Sequence, residues 1–260
     1  MLPRLFQRRP RFTAHNIELP GGKQTLRGEP LIGAEPTSVS YLRTLRLFCP
    51  PPARVADLGC LEGGYAVHLA RSGYDVVGIE GQEENFATCQ WVADRARLPN
   101  LRFVQDDVRN IRDHGEFDAV LCAGLLYHLD RPVSFLRELG QVTRRLLIVS
   151  TNFATEGGRE LGEMPLSEEL VEHEGRMGRW YSEPGGPWSS VGNERSFWLE
   201  KRNLLQALIE AGFPTVFEQF DWLGDVVENR ADDDRLISVF IGVKEQSPVT
   251  ANGLAPAGSR

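Results

Sequence analysis

From Pro52 onward the chain alternates short β-branched runs with amphipathic stretches, and no other feature limits its fold as strongly. This alternation builds an α/β domain around a mainly parallel sheet. Arg54 to Leu58 reads as a first strand, and Gly63 to Ser72 as the helix that follows it, stopped by Gly73. A second strand is expected at Asp75 to Ile79, a helix at about Glu83 to Arg97, and further strands at Leu101 to Gln105, Phe117 to Cys122 and Arg145 to Ser150. Asp130 can cap the helix before the last of these, with Pro132 in its first turn, where a missing N–H does no harm.

The alternation stops at Thr151. Residues Thr151 to Glu194 are rich in Gly, Glu, Pro and Trp, and only Ser167 to His173 suggests a short helix. A long stretch of this kind reads as a functional insertion or lid. A helix is expected at Trp198 to Ala211, ended by Gly212 and Pro214. Two strands, Thr215 to Trp222 and Arg235 to Val243, then form an antiparallel pair across the acidic turn Glu228 to Asp234. From Glu245 the composition suggests a disordered tail. Ahead of the core, Phe12 to Thr25 suggests a hairpin turning at Gly21-Gly22, and Thr37 to Phe48 a helix.

With 260 residues, 41% hydrophobic, the chain suits one large domain with a cap better than two equal domains. No apolar run reaches the roughly 18 residues of a membrane span, and the arginine-rich start lacks the apolar region of a secretory signal. Cys49, Cys60, Cys89 and Cys122 form no CxxC pair, so no metal site is expected and a reducing, cytoplasmic location is. A net charge of −7 provides no general attraction to a phosphate backbone; the arm with Arg4, Arg8, Arg9 and Arg11 is the local exception.

In open α/β sheets ligands bind beyond the carboxyl ends of the strands, beside the first one. Three segments should meet there. Gly59 to Gly64 can bring backbone close to a ligand, although it can also be an empty tight turn. Glu80 ends the second strand, where an acid accepts from both hydroxyls of a ribose, unless it is a surface residue. Asp106-Asp107 follows the third strand and can meet an adenine amino group with Val108 beside the ring; Asp107 can equally cap a helix.

Taken in order, Asp57-Leu58-Gly59-Cys60-Leu61-Glu62-Gly63, Gly78-Ile79-Glu80, Gln105-Asp106-Asp107-Val108 and Phe117-Asp118-Ala119-Val120-Leu121 resemble motifs I to IV of class I S-adenosylmethionine-dependent methyltransferases, over Arg54 to about Ser150. The resemblance implies a seven-stranded, mainly parallel sheet of order 3-2-1-4-5-7-6 with the last strand antiparallel, flanked by helices. It implies an N-terminal arm and cap (1–50), the cofactor-binding half of the core (51–150), a lid or substrate insertion (151–197), the closing helix and strand pair (198–244) and the tail (245–260). The cofactor implied is S-adenosylmethionine. Asp57, Gly59, Cys60, Leu61 and Gly63 would face its methionine part, Glu80 and Gly81 its ribose, and Asp106, Asp107 and Val108 its adenine, with Cys122 and Ala123 completing the site. Leu61 departs from the family, which commonly has glycine there.

The stretch Gly124 to Pro132 resembles small-molecule methyltransferases and relatives that modify the wobble uridine of tRNA. His128 is the candidate general base, the alternative being that it packs or caps the following helix. Tyr127, Trp180, Tyr181 and Trp188 are candidates to line an acceptor pocket, as is Phe197 and, more distantly, His15 and Asn16; each can instead be ordinary packing. Methyl transfer to an O or N atom of a small molecule is the expected function, by a monomer or homodimer. The alternatives are a tRNA alkyl- or methyltransferase, an NAD-dependent oxidoreductase sharing the glycine loop and Glu80, and a non-catalytic cofactor-binding module.

Overall fold

The computed structural model describes residues 9–155, 166–186, 188–219 and 237–244. Its centre is a seven-stranded sheet made of β3 (Arg54–Leu58), β4 (Asp75–Glu80), β5 (Leu101–Gln105), β6 (Phe117–Ala123), β7 (Thr143–Asn152), β11 (Thr215–Gln219) and β12 (Ile237–Val243). The spatial order is β11-β12-β7-β6-β3-β4-β5. Strands β3 to β7 pair in parallel, and β12 runs antiparallel to both β7 and β11. Counted from β3, this is the order 3-2-1-4-5-7-6 that the motifs imply. The strand-pair turn at 228–234 and the tail from 245 fall outside the described residues.

Helices cover both faces, so the central strands are apolar on both sides. Val55, Ala56, Leu58, Val120, Leu121, Leu147 and Ile148 are all fully enclosed. On one face lie α1 (Pro36–Phe48), α2 (Gly64–Arg71) and α3 (Glu83–Ala96); on the other lie α4 (Pro132–Val142) and α5 (Lys201–Glu210). Both α1 and α4 open on proline, which has no N–H to leave unpaired. Ahead of α1, β1 (Glu18–Leu19) and β2 (Lys23–Gln24) form the hairpin expected there, with Gly21 and Gly22 in the left-handed region at its turn.

The insertion is more regular than its composition suggests. Strands β8 (Val171–His173), β9 (Arg176–Ser182) and β10 (Arg195–Leu199) make a separate antiparallel sheet of order β10-β9-β8. The expected helix at Ser167 to His173 is not formed; Val171–His173 is a strand. Trp198 belongs to β10, and the next helix starts at Lys201, capped by Glu200, which accepts the Asn203 N–H. Gly178 hides the pattern of β9: it has no side chain because a Cβ there would lie 2.3 Å from the Trp198 carbonyl oxygen. Phe197 and Leu199 join the main core from this small sheet, which seats it beside α4 and α5. Among the described residues no helix is long and apolar enough to cross a membrane.

Candidate active site

The loop from β3 to α2 has left-handed backbone at residues 59, 61 and 63, with φ of 62°, 53° and 78°. Glycine meets that demand at two of the positions, and Leu61 occupies the third in the conformation that glycine favours. Gly63 caps α2 and packs the loop onto β5, where a Cβ would approach the Phe103 ring to 2.5 Å. Glu80, 5% exposed at the end of β4, ties the loop to the next one: its carboxylate accepts the N–H of Leu61 and that of Gln82, each at 2.8 Å. Burial raises its carboxyl above the ordinary range, against the pull of those hydrogen bonds.

A cavity of about 380 Å³ opens above these loops at the carboxyl ends of the parallel strands. Of the residues expected at a cofactor, Asp57, Gly59, Cys60, Leu61, Glu80, Gly81, Asp107, Val108 and Ala123 line it. Gly63, Asp106 and Cys122 do not. Cys122 is enclosed in the core, and burial pushes its thiol up to about 12. Asp106 turns away to hydrogen-bond Asn110 and His114. Asp107 keeps both of the roles open to it: it lines the cavity, and it caps the 3-10 turn Val108–His114 by accepting the Arg109 N–H. The Arg109 guanidinium forks onto the same carboxylate at 2.9 and 2.8 Å.

Asp57 is 1% exposed, and its Oδ2 has no hydrogen-bond partner among the described residues. Burial pushes its carboxyl up to about 7, with the Ala66 N–H opposing and Glu80 adding to the rise. An acceptor held dry at the floor of a cavity is suited to a donor brought in by a ligand.

On the far side, His128, Tyr127 and Trp188 line the cavity as expected. Trp180 and Tyr181 are not brought to it. Trp180 packs edge-on against Phe197, with their ring centres 5.1 Å apart, and Tyr181 stacks on Trp198 at 5.0 Å. Strand alternation and a second layer of aromatic residues hold both in the small sheet. Phe197 is likewise core. Asn16 is spent on Gln24, Glu29 and Leu26, whereas His15 lines the cavity. The His15 Nδ1 accepts the Gly64 N–H at 3.1 Å, and burial lowers its pKa to about 4, so the ring is neutral.

Several site residues escaped the sequence. His128 Nδ1 lies 3.1 Å from both carboxylate oxygens of Glu183, a residue in a segment with no readable period. Glu35, Thr37, Tyr41 and Tyr65 enter the lining from the N-terminal cap and α2, and Ser150 from β7. The Tyr41 hydroxyl bonds to Ser150, and burial pushes its pKa up to about 12. The only signal for the cap residues was their place in a helix leading into β3.

Residues 55–145 match the family model described as a methyltransferase domain. The N-terminal domain of EvdMO1, solved in the presence of SAH and D-fucose, superimposes with a TM-score of 0.67 at 26% identity, over 88% of this chain and 90% of that one. The chain has the class I methyltransferase fold. Two curated relatives share parts of this methyltransferase core. A 23S rRNA (uracil(1939)-C(5))-methyltransferase of Thiobacillus denitrificans is 36% identical over 119 residues, which is 44% of this chain and 27% of that protein. A ubiquinone biosynthesis O-methyltransferase of Albidiferax ferrireducens is 32% identical over 117 residues, 43% of this chain and 45% of that protein. The match spans less than half of either relative, so what is shared is the methyltransferase core.

Proposed function

We propose that this protein is an S-adenosylmethionine-dependent methyltransferase that methylates an O or N atom of a small hydroxyl-bearing molecule. One observation carries the reading. A single cavity has a dry, unpartnered Asp57 oxygen and the Glu80-tethered glycine loop on one side, and His128 on the other. Asp57 suits the ammonium of the methionine part, Glu80 a ribose, and the Asp107–Val108 edge an adenine. When bound there, the cofactor would supply a methyl group already activated on a sulfonium. The protein's part is then to position the acceptor and to take its proton.

The lining disfavours an anionic acceptor. Among the described residues of the cavity, Arg109 is the only Lys or Arg, and Asp107 already engages it. A phosphate-rich acceptor such as tRNA finds no counter-charge there. The hydroxyls of Thr37, Tyr41, Tyr65 and Ser150 and the ring of Trp188 suit a compact polyol. The EvdMO1 domain, solved in the presence of a deoxysugar, supports the same class.

The test is transfer of labelled methyl from S-adenosylmethionine to a panel of deoxyhexoses, their glycosides, small amines and tRNA. Label on a hydroxylated or amino small molecule is expected. Label on tRNA alone would overturn the reading.

A further inference from the structure

We propose that Glu183 is the positioning residue for His128, delivered to it by a loop that is pinned beside the adenosine end of the same cavity. The inference rests on the methyltransferase reading and adds a residue to it.

The pair is close and largely enclosed. Glu183 Oε1 and Oε2 each lie 3.1 Å from His128 Nδ1, with side chains 3% and 16% exposed. An ionised carboxylate only accepts, so Nδ1 must carry the hydrogen, and in the neutral ring the bare nitrogen is then Nε2. The bare nitrogen is the one able to take a proton from an acceptor hydroxyl. Burial raises the Glu183 carboxyl, but the His128 side chain, the Ser196 hydroxyl and the Ser190 N–H together hold it below its ordinary value. The Tyr127 ring flanks the His128 ring, with centres 4.2 Å apart.

The chain around Glu183 is arranged to keep it there. Ser190 donates its N–H back to Glu183 at 3.3 Å, and the Asn193 side chain donates to the His128 carbonyl at 3.2 Å. Farther out, Gln82 donates to the carbonyls of Gly186 and Ser189, and Arg109 to that of Val191. Both pinning residues are themselves tied to carboxylates of the adenosine end: the Gln82 N–H to Glu80, and the Arg109 guanidinium to Asp107. The loop carrying Glu183 is therefore built onto the groups expected to hold adenosine, while its acidic end meets the expected base.

The experiment reads the His128 ring directly. Nitrogen-15 spectra of the histidine side chains, assigned with His128→Asn, are recorded for the wild type, Glu183→Ala and Glu183→Gln, with S-adenosylhomocysteine present. The wild type should show His128 protonated at Nδ1 only. Glu183→Ala should shift the ring toward the Nε2-protonated form and lower kcat roughly 10²-fold, with KM and cofactor affinity little changed. Glu183→Gln, which keeps the size and one acceptor oxygen, should fold normally and fall between the two. An unaltered His128 tautomer in both variants, or an unaltered kcat, would overturn the assignment. If the protein transferred no methyl group at all, the spectra would still report the pair, so the two failures are separable.

Discussion

His15 donates its backbone N–H to the carboxylate of Glu62 at 2.7 Å, which ties the N-terminal arm to the glycine loop. The N–H groups of Thr13 and Ala14 and the Thr13 hydroxyl converge on the same side chain, which is 2% exposed. Through this contact the cap that supplies His15 to the cavity is held by the loop on which the cofactor is expected to sit. Glu62→Ala leaves three N–H groups without their acceptor and should cost ~1–3 kcal/mol of stability. Urea denaturation checks this; an unchanged midpoint would mean that the arm is held by other contacts.

Leu61 makes a prediction of the opposite sign. Its φ of 53° is strained for a residue with a Cβ, by roughly 1–2 kcal/mol. Glycine relieves that strain but gives the unfolded chain more freedom, worth roughly 0.4–1 kcal/mol. Leu61→Gly should therefore leave the thermal midpoint level or slightly higher, with the N–H to Glu80 kept. A large drop in the midpoint would show that the leucine side chain contributes packing that outweighs its backbone strain.

Asp57 gives a pH dependence. Its carboxyl is pushed up to about 7 in the folded protein, against ~3.9 for an unfolded aspartate. Between these values the unfolded chain releases the proton and the folded chain keeps it, so stability of the ligand-free protein falls as pH rises through this window. An ammonium group bound at Oδ2 favours the ionised form. Cofactor affinity should therefore climb by close to tenfold per unit as pH rises toward about 7, then level. Calorimetry across this range checks it. Asp57→Asn should flatten the profile and stabilise the ligand-free protein at neutral pH. A flat profile in the wild type would remove Asp57 from the cofactor site.

The parallel core was legible because period and punctuation agree there: β-branched runs end at Gly59, Glu80 and Asp106, where a sheet edge must turn. The side of the cavity expected to take a cofactor lies at the same positions. The side expected to take an acceptor was less legible, for two physical reasons. Glu183 meets His128 across 55 residues and a sheet whose strands are interrupted by Gly178, so no local pattern links the pair. Trp180 and Tyr181 were candidates on aromatic content alone, and only the packing of β9 on β10 decides which way such side chains face. Glu62 was visible as part of the loop motif, but its partners lie 47 to 49 residues earlier.

The proposed ligand of the cavity at Asp57, the glycine loop and Glu80 is S-adenosylmethionine. Titration calorimetry with S-adenosylmethionine, S-adenosylhomocysteine and NAD measures this binding. Micromolar binding of the first two is expected, with no comparable binding of NAD and a loss of ~1–3 kcal/mol in Glu80→Ala, which removes a buried acceptor. Binding of NAD with neither of the others would overturn the assignment of the cofactor.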